Sequence, residues 1–429
     1  MRIRLAFGDS GLLIDLPDEC TTVVEPRYVA AAADQDAQVR TALRAPVTGR
    51  PLRELAGRGQ RVAISVCDGT RPQPRRLMVP AVLDELEQAG VRPEDIVVLV
   101  ATGTHRGNNP GELEAMFGTA VLDRVRVVNH DARDDASLTY VGRYGDAVPV
   151  WLNRAWVEAD LRVTTGFVEP HFFAGFSGGP KMVAPGLAGL DTVLTLHDAK
   201  RIAHPRATWG VLDGNPIHED VRAIATATGV DFAFDVVLNR DQDIVRAFAG
   251  DLSGMHAAAC AAAREVAMRP VPAPFDVVVT TNSGYPLDQN LYQCVKGMSA
   301  AAQIVKPGGL IVCAAECRDG LPDHGSYRDI LTAGRSPAEI LERILHQDHT
   351  IPDQWQAQIQ AKIQAHARIA VHTSGLSDAE LRGAHLEPAP DLAATVLEEL
   401  RASGPAATVC VLPEGPQTIP YLSVAGEMP

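Results

Sequence analysis

Short, almost wholly apolar segments that alternate with helix-like segments are the feature of this sequence that most constrains its fold. Residues 62–68 (VAISVCD) and 95–103 (DIVVLVATG) have the length and composition of buried strands, and residues 72–90 between them have a helical pattern. Strands that are apolar on both faces are typical of a parallel sheet covered by helices on both sides. Further strands are predicted at 125–131, 138–142 and 159–167, with helices at 28–44, 187–203 and 256–267 and a β-hairpin over residues 1–16. The pattern therefore predicts an α/β fold.

The same pattern begins again after a proline-rich stretch, residues 269–274 (RPVPAP). Such a stretch is stiff and poor in hydrogen-bond donors, which suits a connection between domains. New strands are predicted at 275–286, 308–316, 367–375 and 408–415, with a helix around 354–366. Because 429 residues are too many for one compact core, we expect two domains, residues 1–270 and 271–429, each with a largely parallel sheet flanked by helices. The tail after about residue 404 is a candidate to return to the first domain.

Charge and composition exclude several classes of partner. The formal net charge of −14 repels phosphate backbones, and we find no basic stripe, so we expect no nucleic-acid partner. No apolar run approaches the length of a membrane span, and acidic residues come too early for a signal peptide. The seven cysteines are scattered, which favours buried free thiols over disulfides or a thiolate zinc site. We therefore expect a cytoplasmic protein that binds a small molecule.

Three polar loops follow predicted strands. They are residues 68–72 (DGTRP), 101–106 (ATGTHR) and the long segment 169–181 (EPHFFAGFSGGPK). The carboxyl ends of parallel strands form the edge of an α/β sheet where ligands bind, so these loops are the candidate site. The first loop could equally be a plain strand-to-helix turn that carries a proline near the helix start.

The glycine-rich part of the third loop invites comparison with a phosphate-binding P-loop. The match fails, because Pro180 separates the glycines from Lys181 and Met182 follows the lysine. Glycines before a helix can still direct backbone N–H groups toward an anion, so residues 177–179 (Ser177, Gly178 and Gly179) are candidates to bind a phosphate in another way.

Five histidines, His105, His171, His197, His204 and His218, occupy predicted loop or helix-start positions. A zinc site is disfavoured because the HExxH pattern is absent and His197 and His204 are two helical turns apart. One histidine could still bind a metal whose other ligands come from a cofactor.

Taken together, the motifs resemble those of the nickel-pincer lactate racemase family, whose members are 2-hydroxy-acid racemases and epimerases. The resemblance is carried by DGTRP, ATGTHR, EPHFFAGFSGGPKMVAPGLAG (169–189), TLHDAKRIAHPRA (195–207) and GNPIHED (214–220). It continues through LDQNLYQCVKGMSAA (287–301), AECRDG (315–320) and DQWQAQ (353–358), so it covers most of the chain in order. No single motif is specific, but their joint occurrence is.

The resemblance implies a nickel-pincer nucleotide, a pyridinium-3,5-bisthiocarboxylic acid mononucleotide that holds nickel. It implies that Lys181 binds this cofactor covalently through a thioamide, that His197 completes the nickel coordination, and that Trp355 lies close to the cofactor. Sulfur and carbon donors with one imidazole suit square-planar nickel far better than magnesium or calcium. Residues 1–270 would then be the cofactor-binding and catalytic domain, residues 271–429 would close the site, and the active site would lie in the cleft between them.

The family resemblance also implies roles in the chemistry. His105 and His171 become paired general bases, because a racemase must move the hydroxyl proton of either enantiomer and imidazole is suited to this near neutral pH. Arg71 and Lys296 are expected to bind the substrate carboxylate. Asp68, Tyr292 and Gln293 are expected to line the same pocket. No role follows for His204, His218 or Glu316.

The sequence therefore predicts an isomerase that acts on a small 2-hydroxy acid such as lactate, by proton-coupled hydride transfer through a 2-keto acid. Two alternatives stay open: a C2 epimerase of a longer sugar acid, such as an aldonate, and a non-catalytic protein that binds a nucleotide or metal with the same loops. The expected partners are the substrate and the enzymes that build and load the cofactor, and a homo-oligomer is a candidate assembly.

Overall fold

The computed structural model describes residues 1–323 and 325–423 and divides into two compact units. The N unit consists of residues 28–197 and 204–266. The C unit consists of residues 1–27, 198–203 and the described residues from 267 to 423.

The described residues contain strands and short helices in alternation. The strands are β1 (Arg2–Leu5), β2 (Leu12–Asp15), β3 (Thr21–Val23), β4 (Val62–Cys67), β5 (Ile96–Ala101), β6 (Arg126–Asn129), β7 (Leu138–Tyr144), β8 (Val148–Asn153), β9 (Leu161–Phe167), β10 (Pro170–His171), β11 (Gly175–Phe176), β12 (Phe232–Leu238), β13 (Ile244–Gly250), β14 (Met268–Val271), β15 (Phe275–Thr281), β16 (Val305–Ala314), β17 (Arg368–His372), β18 (Glu387–Pro388), β19 (Val409–Leu412) and β20 (Ile419–Leu422). The helices are α1 (Gln35–Arg44), α2 (Leu52–Leu55), α3 (Arg75–Gln88), α4 (Pro110–Phe117), α5 (Thr119–Leu122), α6 (Arg154–Val157), α7 (Leu190–Leu196), α8 (Ala199–Ala203), α9 (Pro216–Thr228), α10 (Leu252–Ala267), α11 (Leu291–Ala301), α12 (Tyr327–Ala333), α13 (Pro337–Leu345), α14 (Gln354–His366), α15 (Asp378–Gly383) and α16 (Leu392–Ser403).

The N unit is built on a six-stranded sheet with the strand order β13-β12-β9-β4-β5-β6. All neighbours pair in parallel except β13, which runs antiparallel to β12. Every residue of β4 is buried, as its almost wholly apolar sequence predicts. Ile64 and Val66 pack with Leu83 and Leu86 of α3 in the main core, and each fully buried aliphatic side chain of this kind contributes about 1.5–3 kcal/mol.

The C unit is built on a second six-stranded sheet, in the order β18-β17-β16-β15-β19-β3, which is parallel throughout. The predicted fold class, two α/β units with largely parallel sheets flanked by helices, is therefore confirmed.

The units differ in extent from the two stretches that we expected from the sequence. Residues 1–27 belong to the C unit, because β3 is an edge strand that pairs with β19. The tail after residue 404 also belongs to the C unit, where β19 joins the sheet and β20 pairs with β14. After the short excursion of residues 198–203, the chain passes from the N unit to the C unit a second time between Val266 and Ala267, near the expected boundary at 270.

The predicted helix at 187–203 is two helices, and the prediction of a continuous helix was wrong. Helix α7 ends at Leu196, and His197 leaves helical geometry with φ −109° and ψ 20°. Helix α8 follows from Ala199, within the segment 198–203 that belongs to the C unit, where the Gln358 side chain donates to the Ala199 carbonyl at 2.8 Å. His197 is therefore the last residue of the N unit before the chain passes into the C unit.

No helix among residues 1–323 and 325–423 is long and apolar enough to cross a membrane.

In the C unit, one buried carboxylate holds the turn of the β1–β2 hairpin. Asp288 is fully buried, and its Oδ2 accepts hydrogen bonds from the backbone N–H of Gly8 at 2.8 Å and of Glu316 at 3.0 Å. Gly8 and Glu316 are distant in sequence, and the Asp288 side chain joins their segments. It satisfies two backbone donors that would otherwise lie unpaired.

We expect Asp288→Ala to lower the free energy of unfolding by about 2–4 kcal/mol, because it removes two hydrogen bonds to a charged acceptor and leaves two backbone donors without it. Asp15→Ala is the control, because it removes an exposed ion pair with Arg2, which is worth at most about 1 kcal/mol. Urea unfolding of the two variants measures the difference. Equal losses in both variants would contradict this account of Asp288.

Candidate active site

The three polar loops that the sequence analysis singled out leave the same edge of the N-unit sheet. Strands β9, β4 and β5 are neighbours and run in parallel. Their carboxyl ends therefore release residues 168–181, 68–74 and 102–109 side by side. The prediction that these loops share one edge is confirmed.

The first two loops are joined by a carboxylate–imidazole pair. Asp68 is 4% exposed, and its Oδ2 lies 2.6 Å from Nδ1 of His105. Its Oδ1 accepts from the Thr70 backbone N–H at 2.9 Å and from the Thr70 hydroxyl. Burial by itself raises the pKa of Asp68, but the hydrogen bond from His105 and the nearby positive charges outweigh it and lower the pKa to about 2. The carboxylate therefore stays ionised and keeps the Nδ1 proton of His105 in place, which leaves Nε2 to exchange a proton with a substrate.

Arg71 lies on the same loop, and a buried arginine holds its backbone in place. Its own guanidinium is exposed and donates to the Thr70 hydroxyl at 3.3 Å. The buried Arg75 at the start of α3 donates two hydrogen bonds, both 3.1 Å, to the Arg71 carbonyl. The loop is thus fixed while the Arg71 guanidinium faces solvent, as an anion-binding group requires.

His171 is held differently from His105. It lies on the short β10–β11 hairpin, where the backbone N–H groups of Phe173 and Ala174 approach its Nδ1 at 3.5 and 3.3 Å. Nδ1 is therefore an acceptor in this arrangement, whereas Nδ1 of His105 is a donor to Asp68. The two predicted bases therefore differ at Nδ1, where His105 donates a hydrogen bond and His171 accepts hydrogen bonds.

One aromatic ring contacts three of the residues that the sequence predicted for the site. The Phe173 ring lies edge-on to His171 with a centroid distance of 4.5 Å and edge-on to His197 at 5.3 Å. The Lys181 ammonium lies 5.6 Å from its centroid. The structure thus brings His171, Lys181 and His197 together around Phe173, which is 5% exposed. Sequence reasoning did not single out Phe173, although it stands in the EPHFFAGF run beside His171.

Lys181 projects from a tight 3-10 turn, Gly179–Met182, that requires the two glycines before the lysine. Gly178 and Gly179 have φ values of +71° and +49°. A Cβ atom on Gly178 would lie 2.6 Å from Oδ2 of Asp235, and one on Gly179 would lie 2.5 Å from the His256 ring. No larger residue fits without displacing these groups.

Two of the groups that could bind an anion in this segment already have partners in the protein. The Gly179 N–H donates to Asp235 Oδ2 at 2.6 Å, and the Ser177 hydroxyl donates to the Phe167 carbonyl at 3.0 Å. Binding of a phosphate by Ser177, Gly178 and Gly179 stays a prediction, and such a phosphate would have to compete with these bonds.

A layer of buried titratable groups lies under the lysine turn. Asp235 is fully buried, and burial raises its pKa to about 7 although the backbone N–H groups of Gly179 and Gly166 act in the opposite direction. His256 donates from Nε2 to the Ser177 carbonyl at 3.0 Å, and His218 stacks on His256 at 5.8 Å. Burial lowers the pKa of both imidazoles to about 4. Near neutral pH, therefore, both imidazoles of the layer are uncharged and the carboxyl is partly protonated.

His197 presents one nitrogen suited to a metal. It caps the end of α7, is 9% exposed, and its Nδ1 donates to the Val193 carbonyl at 2.7 Å. That bond fixes the tautomer and leaves the Nε2 lone pair as a donor, which is the arrangement typical of metal-binding histidines. Within the described residues, no group of three or more His, Cys, Asp and Glu side chains could hold a metal ion. A metal at His197 would have to take its remaining ligands from a cofactor or solvent.

The remaining candidates lie on α11 and α14 of the C unit. Asn290 caps α11, and Lys296 donates to the Gln293 side chain at 2.9 Å. The Tyr292 hydroxyl donates to Asp353 at 3.2 Å, and Trp355, two residues later, is 8% exposed. The structure brings these C-unit residues into one region, and their roles in binding stay predictions.

Comparison with known proteins identifies relatives along most of the chain. Residues 7–210 match the lactate racemase N-terminal domain, and residues 271–419 match the lactate racemase C-terminal domain. The lactate racemase of Thermoanaerobacterium thermosaccharolyticum is 37% identical over 396 residues, which cover 91% of this chain and 92% of that protein. The lactate racemase of Lactiplantibacillus plantarum is 37% identical over 382 residues, which cover 88% and 89%.

Two solved structures are similar to this one. The lactate racemase apoprotein of T. thermosaccharolyticum superposes with a TM-score of 0.90 at 35% identity and covers 98% of this chain and 100% of that one. A protein from Thermotoga maritima has a TM-score of 0.65 at 19% identity over 90% of this chain and 98% of its own, which shows the fold alone.

The buried Asp235 generates a prediction about pH. Its pKa is raised to about 7 in the folded protein, above its ordinary value of 3.8, so the folded state keeps a proton that the unfolded chain releases. The retained proton therefore stabilises the folded state fully below about pH 4. This stabilisation is lost as the pH rises toward 7, at about 1.4 kcal/mol per pH unit. Asp235→Asn keeps an acceptor for Gly179 but cannot ionise.

We expect the stability of Asp235→Asn relative to the native protein to increase by about 3 kcal/mol between about pH 5 and about pH 8, measured by urea unfolding. The exposed Asp213→Asn is the control and should show no such change. A difference between Asp235→Asn and the native protein that does not vary with pH would refute the raised pKa.

Proposed function

The chain belongs to the lactate racemase family and is therefore an isomerase, and on that premise we propose that it racemises lactate or a similarly small 2-hydroxy acid. The observation that carries the proposal is the arrangement around Phe173, where an amine, an imidazole with a fixed tautomer and a second imidazole meet. These are the groups needed to anchor a cofactor, to ligate its metal and to move the substrate hydroxyl proton.

We further propose the nickel-pincer nucleotide as the cofactor, bound covalently at Lys181 and with its nickel at Nε2 of His197. The residues fit this group in two respects. Lys181 lies on a turn in which positions 178 and 179 must be glycine, because a side chain at either position would collide with Asp235 or His256. His197, whose Nδ1 donates to the Val193 carbonyl, would supply one imidazole ligand to the nickel, and the cofactor would supply the others. When bound, the cofactor supplies the acceptor for the substrate hydride.

The two catalytic histidines then divide the proton transfers. The base that acts on one enantiomer removes the hydroxyl proton, and the other histidine returns a proton to the oxygen of the opposite enantiomer. His105 is oriented for this by Asp68, which holds its Nδ1 proton, so that Nε2 is the exchanging atom. His171 receives backbone N–H groups at Nδ1, so its two nitrogens are also distinguished.

We propose, from the family resemblance, that Arg71 and Lys296 bind the substrate carboxylate, that Asp68, Tyr292 and Gln293 contribute to substrate binding, and that Trp355 contributes to cofactor binding. A guanidinium gives two-point binding of a carboxylate, and the supported backbone of Arg71 keeps that group in position. We propose the cytoplasm as the location, since all seven cysteines are unpaired in the structure, and cofactor-building enzymes as the partners that load the protein.

The direct test is a substrate screen with protein produced together with the cofactor-building enzymes. Enantiopure lactate, longer 2-hydroxy acids and aldonates are each incubated with the loaded protein, and the products are separated by chiral chromatography. We expect racemisation of lactate or a comparably small acid, and a mass increase on Lys181. Inversion of an aldonate alone would replace the proposed substrate by a sugar acid, and full activity with unmodified Lys181 would exclude the cofactor assignment.

A second prediction concerns the Asp68–His105 pair. Asp68→Asn removes the acceptor that fixes the His105 tautomer, so we expect the racemisation rate per loaded site to fall by about 10²–10⁴-fold in both directions, the range that general acid–base catalysis contributes. The extent of the Lys181 modification, measured by mass spectrometry, should not change. Asp123→Asn, at an exposed position, is the control. Normal turnover in Asp68→Asn would show that the pair does not orient the base.

A further inference from the structure

The proposed reaction uses no residue of the motif GNPIHED (214–220), although the sequence analysis singled it out. Its second residue, Asn215, lies in the interior of the N unit and is fully buried. It is the N-cap of α9, and Pro216 follows as the first residue of the helix. A buried amide is costly unless it is hydrogen-bonded, so the partners of Asn215 show what it holds in place.

Both polar atoms of the Asn215 side chain have partners. Its Oδ1 accepts from the backbone N–H groups of Ile217 at 3.1 Å and of His218 at 3.4 Å, which caps the helix. Its Nδ2 donates to the Val211 carbonyl at 2.9 Å and to the Phe173 carbonyl at 3.0 Å. The cap needs an oxygen alone, which serine or aspartate would also supply. The amide nitrogen therefore has a second task outside the helix.

The hairpin that precedes this contact is too short to fix its own turn. Strands β10 and β11 pair over two residues each, and an isolated two-stranded hairpin is marginally stable at best in water. Neighbouring segments hold it instead. The Gly210 N–H donates to the Gly175 carbonyl at 2.9 Å, and Asn215 donates to Phe173 within the turn. The position of Phe173 thus depends on a side chain that is distant in sequence.

The backbone of Phe173 is held on both sides. Its N–H approaches Nδ1 of His171 at 3.5 Å, and its carbonyl accepts from Asn215. Its ring lies 4.5 Å from the His171 ring, 5.3 Å from the His197 ring and 5.6 Å from the Lys181 ammonium. Because the direction of a side chain follows from its backbone, a shift of this carbonyl would be passed to all three groups.

We propose that Asn215 is a positioning residue for the reaction: its amide holds the Phe173 carbonyl and so keeps the Phe173 ring where it orders His171 and His197. The inference rests on the proposed function, since it presumes that these two histidines take part in the reaction. Asn215 acts through Phe173 and is not itself a catalytic residue.

The test removes the amide and keeps the helix cap. Asn215→Ser retains a hydroxyl, which also caps helices well, and loses both amide donors. Asn215→Asp retains the shape and the cap but turns a carboxylate oxygen toward two carbonyls. Ile224→Val is the control, because it shortens a fully buried side chain of the same helix without touching the amide.

Each protein is produced together with the cofactor-building enzymes, and its racemisation of enantiopure lactate is measured. Mass spectrometry gives the modified fraction of Lys181, so that rates are expressed per modified lysine. Urea unfolding of each variant shows how far α9 as a whole is loosened. Turnover is thereby separated from loading and from stability.

We expect kcat per modified lysine to fall by about 10–100-fold in both directions in Asn215→Ser and Asn215→Asp, since misplacing a reacting group by about 1 Å can cost about 10²-fold. KM should stay within about twofold, because the groups proposed to bind the carboxylate lie on other elements. Ile224→Val should keep the native kcat. A native kcat in both Asn215 variants, or an equal loss in Ile224→Val, would overturn the proposal.

A double-mutant cycle tests whether Asn215 acts through Phe173. Phe173→Leu keeps an apolar side chain and removes the ring contacts. In that background Asn215→Ser should lower kcat by at most about threefold, because two substitutions that break the same connection are not additive. If Asn215→Ser has its full effect without the ring, the route through Phe173 is wrong.

The apo protein gives a measurement that does not depend on turnover. In protein with isotope-labelled histidine, the nuclear magnetic resonance signals of the His171 ring report the hydrogen bonds at Nδ1 and the orientation of the neighbouring Phe173 ring. We expect Asn215→Ser to shift these signals and to leave those of His105, which Asp68 holds, unchanged. Ile224→Val should shift neither set. Native His171 signals in Asn215→Ser would contradict the proposal.

The outcomes separate this inference from the function on which it rests. If the loaded native protein racemises a hydroxy acid and Asn215→Ser does so at the same rate, the inference alone fails. If the loaded native protein racemises none of the acids tested, the proposed function fails and the inference falls with it.

Discussion

The Phe173 ring packs edge-on against the imidazoles of His171 and His197 and lies under the ammonium of Lys181. The three groups come from different elements, a short hairpin, the end of a helix and a 3-10 turn, and a single buried ring sets their spacing. Aromatic rings prefer edge-to-face contact and attract cations to their faces, so this packing restrains each partner in orientation as well as in position. The assignment of a cofactor-anchoring lysine, a metal ligand and a base depends on that restraint.

Beneath this cluster, burial acts in opposite directions on acid and base. It raises the pKa of Asp235 and lowers the pKa values of His218 and His256, and each shift favours the uncharged form. The lysine turn therefore rests on polar groups that can hydrogen-bond without placing strong fixed charges beside the amine.

The sequence predicts the parts of the fold that depend on local pattern. The buried strands β4 and β5 have almost wholly apolar sequences, and polar residues directly after them mark the site, so both were predictable. The edge strand β3 was not, because three residues of β-branched character do not reveal which sheet they join. The break at His197 was also missed, since helical periodicity continues through it while the chain changes unit.

Within the site, residues with a distinctive chemical group were singled out and residues that act by shape were not. Lys181, His171 and His197 carry titratable groups, and the family resemblance gave each a role. Phe173 and Asp235 gain their importance from packing and burial, which depend on contacts between distant parts of the chain. Asp235 lies inside an apolar strand, and its hydrogen bonds with the backbone N–H groups of Gly179 and Gly166 explain why a carboxyl is tolerated there.

The pairing of β3 with β19 has a consequence for synthesis of the chain. Thr21 pairs with Val409, so the C-unit sheet cannot be completed until the chain has been synthesised beyond residue 409. The N unit lies between these two strands in sequence and can form earlier. Pairing of residues 21–23 with β19 is thus a contact of high sequence separation, the kind of contact that lowers folding rates.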